Sequence, residues 1–556
     1  MKKTFVFFLS TCVAGALFAG NGRLAKELES LDPASNVDVI VQFRQAPTEA
    51  HHRKVMAKGG LHKKSLDLVK GSLYSVPAGR LKELADDPDV AYISPDYAVT
   101  AASDQSMATI GADIARSYGF DGTGVGIAVI DSGVNKVGDT SINGVQRIVY
   151  QENFVPNDNN ITDGYGHGTH VGHIAAGNGS NSACSTCTQT FRGVAPNANI
   201  INLRVLDNNG KGTDSVVIAA IQRAIALKST YNIRVMNLSL GRPVASSYLN
   251  DPLCQAVEAA WKAGIVVVVA AGNEGRNNTA GTNGYGTITA PGNDPYVITV
   301  GAMKTMETAS RGDDSIASYS SKGPTLLDHV VKPDVVAPGN RIISGESIAS
   351  NLAKAYPQNL VPLPYYGGST KNSNYFWLSG TSMATPMVSG AAALLLQRDP
   401  TLTPDQVKAR LMKTASKTFP FSSIATDPAT GAIYTSYYDL FTVGAGYLDI
   451  WAALNNSDTL PAGTTANSPA VVYNATTKTV SLVTGSSLAW GTSLAWGTNV
   501  VWGTNVVWGT NVVWGTSLAW GSSTMAGFNV VWGTNVVWGT GQPAGESAGI
   551  AINGEQ

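Results

Sequence analysis

Five runs between Val125 and Val300 are short, β-branched and almost unbroken by polar residues: Val125–Ile130, Ile200–Val205, Val235–Leu238, Ile265–Ala270 and Tyr296–Val300. A strand with one wet face alternates apolar and polar positions; these runs do not, so both of their faces must be covered. Helix-like stretches, Ser215–Leu227 and Pro252–Lys262 among them, lie between the runs. The pattern predicts an α/β unit over about 104–456, a parallel sheet flanked by helices, with its working loops at the carboxyl ends of the strands.

Residues 22–103 carry a different pattern. Val37–Phe43 reads as a strand, followed by a polar His- and Lys-rich helix, a strand at Leu73–Val76, a helix at Arg80–Ala85 and a strand at Val90–Ile93. Strands alternating with two helices over so short a stretch predict a small α+β, ferredoxin-like unit with a split βαβ plan. After 456 the composition changes. Ser457–Pro469 is rich in Pro, Ser, Thr and Ala and reads as a linker, with a short β segment following to 486. From 487 to 540 a hexapeptide repeats in frame, beginning Ser487-Leu488-Ala489-Trp490-Gly491-Thr492, and a tail covers 541–556. Six is even, so in an extended strand every tryptophan of the tract shares one face; stacked turns of a β-solenoid satisfy the same period. The tract has no charge. It offers a self-packing stalk, or exposed rings for envelope, polysaccharide or protein contact.

Charge narrows the partners. Lys and Arg total 38 against 39 Asp and Glu, so no basic surplus points to nucleic acid. At the start, Lys2 and Lys3 precede an apolar run from Phe5 to about Phe18 with Ala14, Ala16 and Ala19 near its end. That order of features reads as a signal peptide over 1–20 and hence as secretion. The run is too short for a stable membrane span, and no later apolar stretch of about 18 residues follows. Cys12 leaves with the signal. Cys184-Ser185-Thr186-Cys187 then reads as a loop disulfide, with Cys254 either a buried thiol or an alternative partner.

Four patches carry candidate chemistry. Ala128-Val129-Ile130-Asp131 is a buried strand ending abruptly in a carboxylate, placed where a histidine can meet it; alone it also reads as a turn or cap aspartate. His167-Gly168-Thr169-His170-Val171-Gly172-His173 opens a helix. Its histidines share a helical face and raise a metal reading, but no Glu completes a zinc-peptidase pattern. Gly380-Thr381-Ser382-Met383-Ala384-Thr385-Pro386 starts a long apolar helix, with the proline expected in or near its first turn. The field of a helix start suits an alkoxide and a developing oxyanion; an ordinary N-cap serine is the plainer reading. Ala270-Ala271-Gly272-Asn273 follows an apolar strand, and its Asn can aim an amide at an oxyanion. Asp, His and Ser occur in that chain order.

With these motifs in this order, residues 104–456 closely resemble the subtilisin-like serine peptidase family. The resemblance implies Ser382 as nucleophile, His167 as its base, Asp131 as the group that orients His167, and Asn273 with the Ser382 amide as the oxyanion site. It implies that Met236–Gly241 is a substrate-binding edge strand, with Ser239, Leu240 and Gly241 walling the main specificity pocket. Its partners are then polypeptide substrates and, as inhibitor, its own propeptide. Residues 22–103 resemble the family's inhibitor-type propeptide, whose tail would be Asp96–Ala101 and whose removal would start the mature chain near 100–106. No cofactor is implied for catalysis. The family's calcium loop corresponds to a lengthened Asn178–Arg192, onto which ligands do not map residue by residue, so a structural calcium stays open and no metal residue is assigned. His173 stands where glycine is usual, which implies altered packing of that helix. The rival reading is an inactive surface-binding or scaffolding protein that uses its tryptophan tract.

Overall fold

The computed structural model describes residues 23–25, 28, 31–95, 105–279, 281–367, 373–427, 430–460, 464–474, 479–483, 505–508, 512–515 and 554–555. The expected signal segment, the Asp96–Ala101 tail and most of the repeat lie outside the described residues. The chain divides into two compact units, Met1–Ala101 and Ala102–Gln556.

In the first unit the elements are β1 (Asn36–Phe43), α1 (Glu49–Ala57), β2 (Leu61–Leu66), β3 (Gly71–Pro77), α2 (Leu81–Ala85) and β4 (Val90–Pro95). The sheet order is β2-β3-β1-β4, with antiparallel neighbours throughout. Val39, Val41 and Phe43 alternate inward from β1 and meet Tyr74, Val76, Leu84 and Ile93 in one core. Strand β2 went unpredicted because Leu61-His62-Lys63-Lys64-Ser65-Leu66 buries no residue fully; it is held by its pairing with β3.

The second unit is built on an eight-stranded sheet. Its strands are β5 (Gly126–Asp131), β6 (Ile148–Asn153), β7 (Asn199–Arg204), β8 (Ile233–Leu238), β9 (Val266–Ala270), β10 (Ile298–Lys304), β11 (Ser315–Ile316) and β12 (Val335–Pro338). The order is β6-β7-β5-β8-β9-β10-β11, with β12 also on β10; only β11 runs antiparallel. The helices that matter below are α3 (His167–Ala176), α4 (Asp214–Tyr231), α5 (Pro252–Lys262), α6 (Thr381–Arg398) and α7 (Pro404–Thr414). Helix α5 starts where Asp251 caps the Leu253 and Cys254 amides and Pro252 takes the first position. Thr403 and Gln406 form a capping box on α7. Helix α6 is buried from Met383 to Leu396, inside the core rather than on it.

This parallel sheet flanked by helices is the predicted α/β architecture. The chain connects outward from β5 towards β7 and β6, then returns to β8 and proceeds the other way. Such a reversal leaves a crevice at the strands' carboxyl ends.

One expectation fails. Ser457–Pro469 is not a free linker among the described residues. The Ala466 amide donates to Asp405 Oδ1 (2.8 Å), and Ser468 Oγ donates to Asp334 Oδ1 (2.5 Å) while accepting from Lys408 Nζ (2.9 Å). Lys332, Asp334 and Lys408 are all fully buried, so the Ser468 hydroxyl completes a charged cluster that burial would otherwise penalise. Composition reports only the low hydrophobicity of this stretch, not where one hydroxyl goes. A hairpin, Ala470–Asn474 with Thr479–Val483, follows, and its Val471 amide donates to His329 O (2.9 Å). Within the repeat, Asn505–Trp508 pairs antiparallel with Val512–Gly515. Cys184 and Cys187 form a disulfide, and Cys254 is a buried free thiol. No helix of the described residues is long and apolar enough to cross a membrane.

Candidate active site

Strand β5 ends in Asp131, which is completely buried. Its Oδ1 accepts from its neighbour's amide, Ser132 N (2.7 Å), and lies 2.7 Å from His167 Nδ1. His167 is the first residue of α3 and can reach β5 only because Gly168 follows. A Cβ at 168 would overlap the Gly133 carbonyl oxygen and stand 3.0 Å from Asp131 Cβ.

A residue that sequence reasoning missed holds this junction. Asp163, buried, accepts from Ser132 Oγ (2.8 Å), Gly166 N (2.7 Å) and Thr169 N (2.8 Å), tying the end of β5 to the first turn of α3. The available signal was an Asp four residues before a helix-starting His, a position from which a carboxylate can serve the helix's orphan amides. Burial lowers the affinity of His167 for a proton. The Asp131 charge and hydrogen bond, with a contribution from Asp163, more than offset this, and its pKa rises above the ordinary 6.5.

The other two histidines of the motif serve packing. His170 Nε2 lies 2.9 Å from Phe376 O and 3.1 Å from Ile342 O, and burial pulls its pKa down to about 3. His173 is buried with neither ring nitrogen hydrogen-bonded, and burial takes its pKa to about 4. The altered packing expected around His173 is accommodated at Gly345, where a Cβ would overlap the imidazole ring. Among the described residues no group of three or more His, Cys, Asp or Glu is arranged to hold a metal ion. The Asn178–Arg192 loop contains no Asp or Glu, and so lacks the carboxylates typical of a calcium site.

Ser382 is the second residue of α6, which packs against α3. Pro386, expected in or near the first turn, is the sixth helical residue, just past that turn and inside the helix. A proline there has no N–H for the carbonyl four residues back, which is that of Ser382. Ser239 Oγ donates to that carbonyl instead (2.8 Å), and Ser382 Oγ in turn donates to Ser239 O (3.2 Å). The predicted pocket wall therefore abuts the predicted nucleophile directly. Beyond it, Arg242 exchanges backbone hydrogen bonds with Ala290 (3.0 and 2.8 Å), and Gly241 lies against Thr289. Leu240 is half-buried against the main core. Asn273, just past β9, is oriented by its oxygen: Oδ1 accepts from Thr381 N (2.9 Å) and Thr381 Oγ1 (3.1 Å). Its Nδ2 faces Gly380, where a Cβ would lie 3.4 Å from it and 3.6 Å from Ser382 N. No hydrogen bond links Ser382 Oγ to His167 among the described residues; such bonds commonly tighten only when substrate is bound.

A carboxylate–imidazole pair at a strand end, a serine at the start of a buried helix and an amide donor beside it give this α/β protein the form of a serine peptidase. The subtilase family model matches residues 122–432, over half of the sequence, and the chain belongs to that family. Among relatives, serine protease AprX of Bacillus subtilis is 40% identical over 301 residues, covering 53% of this chain and 62% of that protein's length. Subtilisin E of the same organism is 35% identical over 387 residues, covering 68% of this chain and 84% of its own. A solved structure of a cold adapted subtilisin-like serine proteinase aligns at 34% identity with a TM-score of 0.38, covering 54% of this chain and 84% of that one.

Proposed function

We propose that the protein is a secreted serine endopeptidase, made as a precursor that cuts itself, and that it hydrolyses peptide bonds through an acyl-enzyme. Ser382 Oγ attacks the scissile carbonyl carbon while His167 Nε2 takes its proton. Asp131 holds the imidazole by Nδ1 and stabilises its charged form. Asn273 Nδ2 and the Ser382 amide receive the negative charge on the carbonyl oxygen. His167 then gives its proton to the leaving amine, and water repeats the sequence on the acyl group. Ser239, Leu240 and Gly241 bind the residue before the cut. No cofactor enters any step. Residues 22–103 act as folding aid and inhibitor until they are removed.

The observation that carries this reading is the 2.7 Å contact between Asp131 and His167 at the end of β5, on a helix packed against the one that presents Ser382. A fluorophosphonate probe tests it. The mature protein should be labelled at Ser382, whereas Ser382→Ala should be unlabelled and should accumulate as a precursor still containing 22–103. A mature protein that takes up no probe would favour the inactive scaffolding alternative. Normal maturation of purified Ser382→Ala would refute self-processing.

A further inference from the structure

Gly554 and Glu555 lie far along the chain from the peptidase core, yet Glu555 is buried in the larger unit. Its Oε1 pairs with Arg276 Nη2 (3.0 Å) and accepts from Ser318 N (2.9 Å) and from Ser318 Oγ; its Oε2 faces Lys304 Nζ at 3.2 Å. The main chain is held as well. Glu555 N donates to Asn340 Oδ1 (2.8 Å), and Asn340 Nδ2 donates to Glu555 O (2.9 Å). Asn340 thus grips both faces of one residue's backbone while the basic pair grips its side chain.

Charge makes the pocket specific for a carboxylate. The side chains of Arg276 and Lys304 are only 7% and 11% exposed, and Asp427 lies 2.8 Å from Arg276. Asp427 alone cannot offset two buried cations, and an uncompensated buried charge is strongly destabilising. Glu555 supplies the missing negative charge. The docking also touches the segments that present the site chemistry. Arg276 lies three residues after Asn273 in one loop. Gly339, next to Asn340, accepts the Gly380 amide (2.8 Å), and Gly554 sits against Ser379, three residues before Ser382.

At its other end the same stretch departs from the hairpin Ala470–Val483, whose Ala470 bridges to Val330 and whose Val471 amide donates to His329 O. We infer that Arg276, Lys304, Ser318 and Asn340 form a docking pocket for the chain's own Glu555. Residues 484–553, with the tryptophan repeat, then lie in the sequence between two segments bound to the peptidase unit. This goes beyond the proposed proteolysis and does not depend on it, because the docking can be read in an inactive variant.

The test uses the full chain carrying Ser382→Ala, which prevents self-cleavage. Ser379→Cys and Gly554→Cys are added, since a Cβ at 554 lies 2.6 Å from Ser379 Oγ. Mild oxidation followed by peptide mapping should find the 379–554 disulfide forming at least about tenfold faster than a control pair of Gly554→Cys with Leu249→Cys, an exposed position. Adding Glu555→Lys should abolish that advantage, with the melting temperature of each variant measured to establish that the fold persists. Equal rates for the two pairs would overturn the docking. A fast 379–554 reaction untouched by Glu555→Lys in a folded protein would overturn the role given to the carboxylate.

Discussion

Substituting Gly168 by Ala asks whether the contact between α3 and β5 sets the rate. The added methyl would overlap Gly133 O and stand 3.0 Å from both Asp131 Cβ and Gly133 N. Carbon contacts of this kind normally lie at about 3.5–4.0 Å, so the first turn of α3 must lift by roughly 0.5–1 Å. The neighbours are backbone and the stem of a buried aspartate, so neither can rotate away. The 2.7 Å bond from His167 to Asp131 absorbs the shift. A misplacement of about 1 Å can cost on the order of 10²-fold, and kcat/KM should fall by about that much. Overpacking costs about 1–3 kcal/mol, partly offset by the roughly 1 kcal/mol that Ala gains over Gly in a helix. Gly172→Ala, one turn on, supplies the contrast. Its Cβ would meet the Val134 methyls at 3.0 Å, and those belong to a side chain that can turn. Its activity should stay within about threefold of the parent, since the helical gain of Ala over Gly and a mild crowding nearly cancel. Both variants are assayed on a small chromogenic peptide, normalised by active-site titration, with melting curves alongside. If Gly168→Ala keeps most of its activity, or both variants lose equally, glycine at 168 is not what brings His167 to Asp131.

Four further outcomes are expected. Ser239→Ala removes the hydroxyl that donates to the Ser382 carbonyl and should cost about 1–3 kcal/mol in urea unfolding; in a Pro386→Ala background, where a helical N–H returns, the cost should shrink, and strict additivity would refute the coupling. Asn273→Leu should lower kcat by about 10²–10³ with little change in KM, the loss typical of removing one oxyanion donor from a subtilisin; a KM effect alone would place Asn273 in substrate binding. Activity should rise with pH through an inflection above 6.5, because only neutral His167 accepts the serine proton and Asp131 raises its pKa; an inflection below 6.5 would contradict the pairing. Stability should respond with both signs. His167 contributes fully below 6.5 and loses that contribution as pH rises through its folded pKa, whereas His170 and His173, held near 3 and 4, destabilise the fold as pH drops below 6.5. Melting curves of His173→Leu should show a smaller acid loss, and an unchanged acid limb would count against burial as its cause.

What was legible in the chain, and what was not, divides by the kind of force involved. Strands β5, β7, β8, β9 and β10 announced themselves because burial on both faces demands unbroken apolar runs, and that demand is local. Strand β6 escaped because it sits at the sheet edge, where Val149, Gln151 and Glu152 meet solvent or ion pairs and the pattern dissolves. Asp131, His167, Ser382 and Asn273 stood out because chemistry restricts which residue types can occupy a strand end or a helix start. Asp163, Ser468 and Glu555 are as tightly built in, but each also satisfies a group 31 or more positions away: Ser132, Asp334 and Arg276. Nothing in the immediate neighbours of a serine or glutamate records that a buried cation elsewhere lacks a counter-charge. Pro386 shows the same limit inside the Ser382 motif itself. Its presence was visible, but the freed Ser382 carbonyl, and the Ser239 hydroxyl that takes it, exist only once β8 and α6 are side by side. The polar interior of this protein is therefore a property of its topology, and electrostatic closure of buried groups is what ties its late segments, Ser468 and Glu555, to the unit that carries the candidate site.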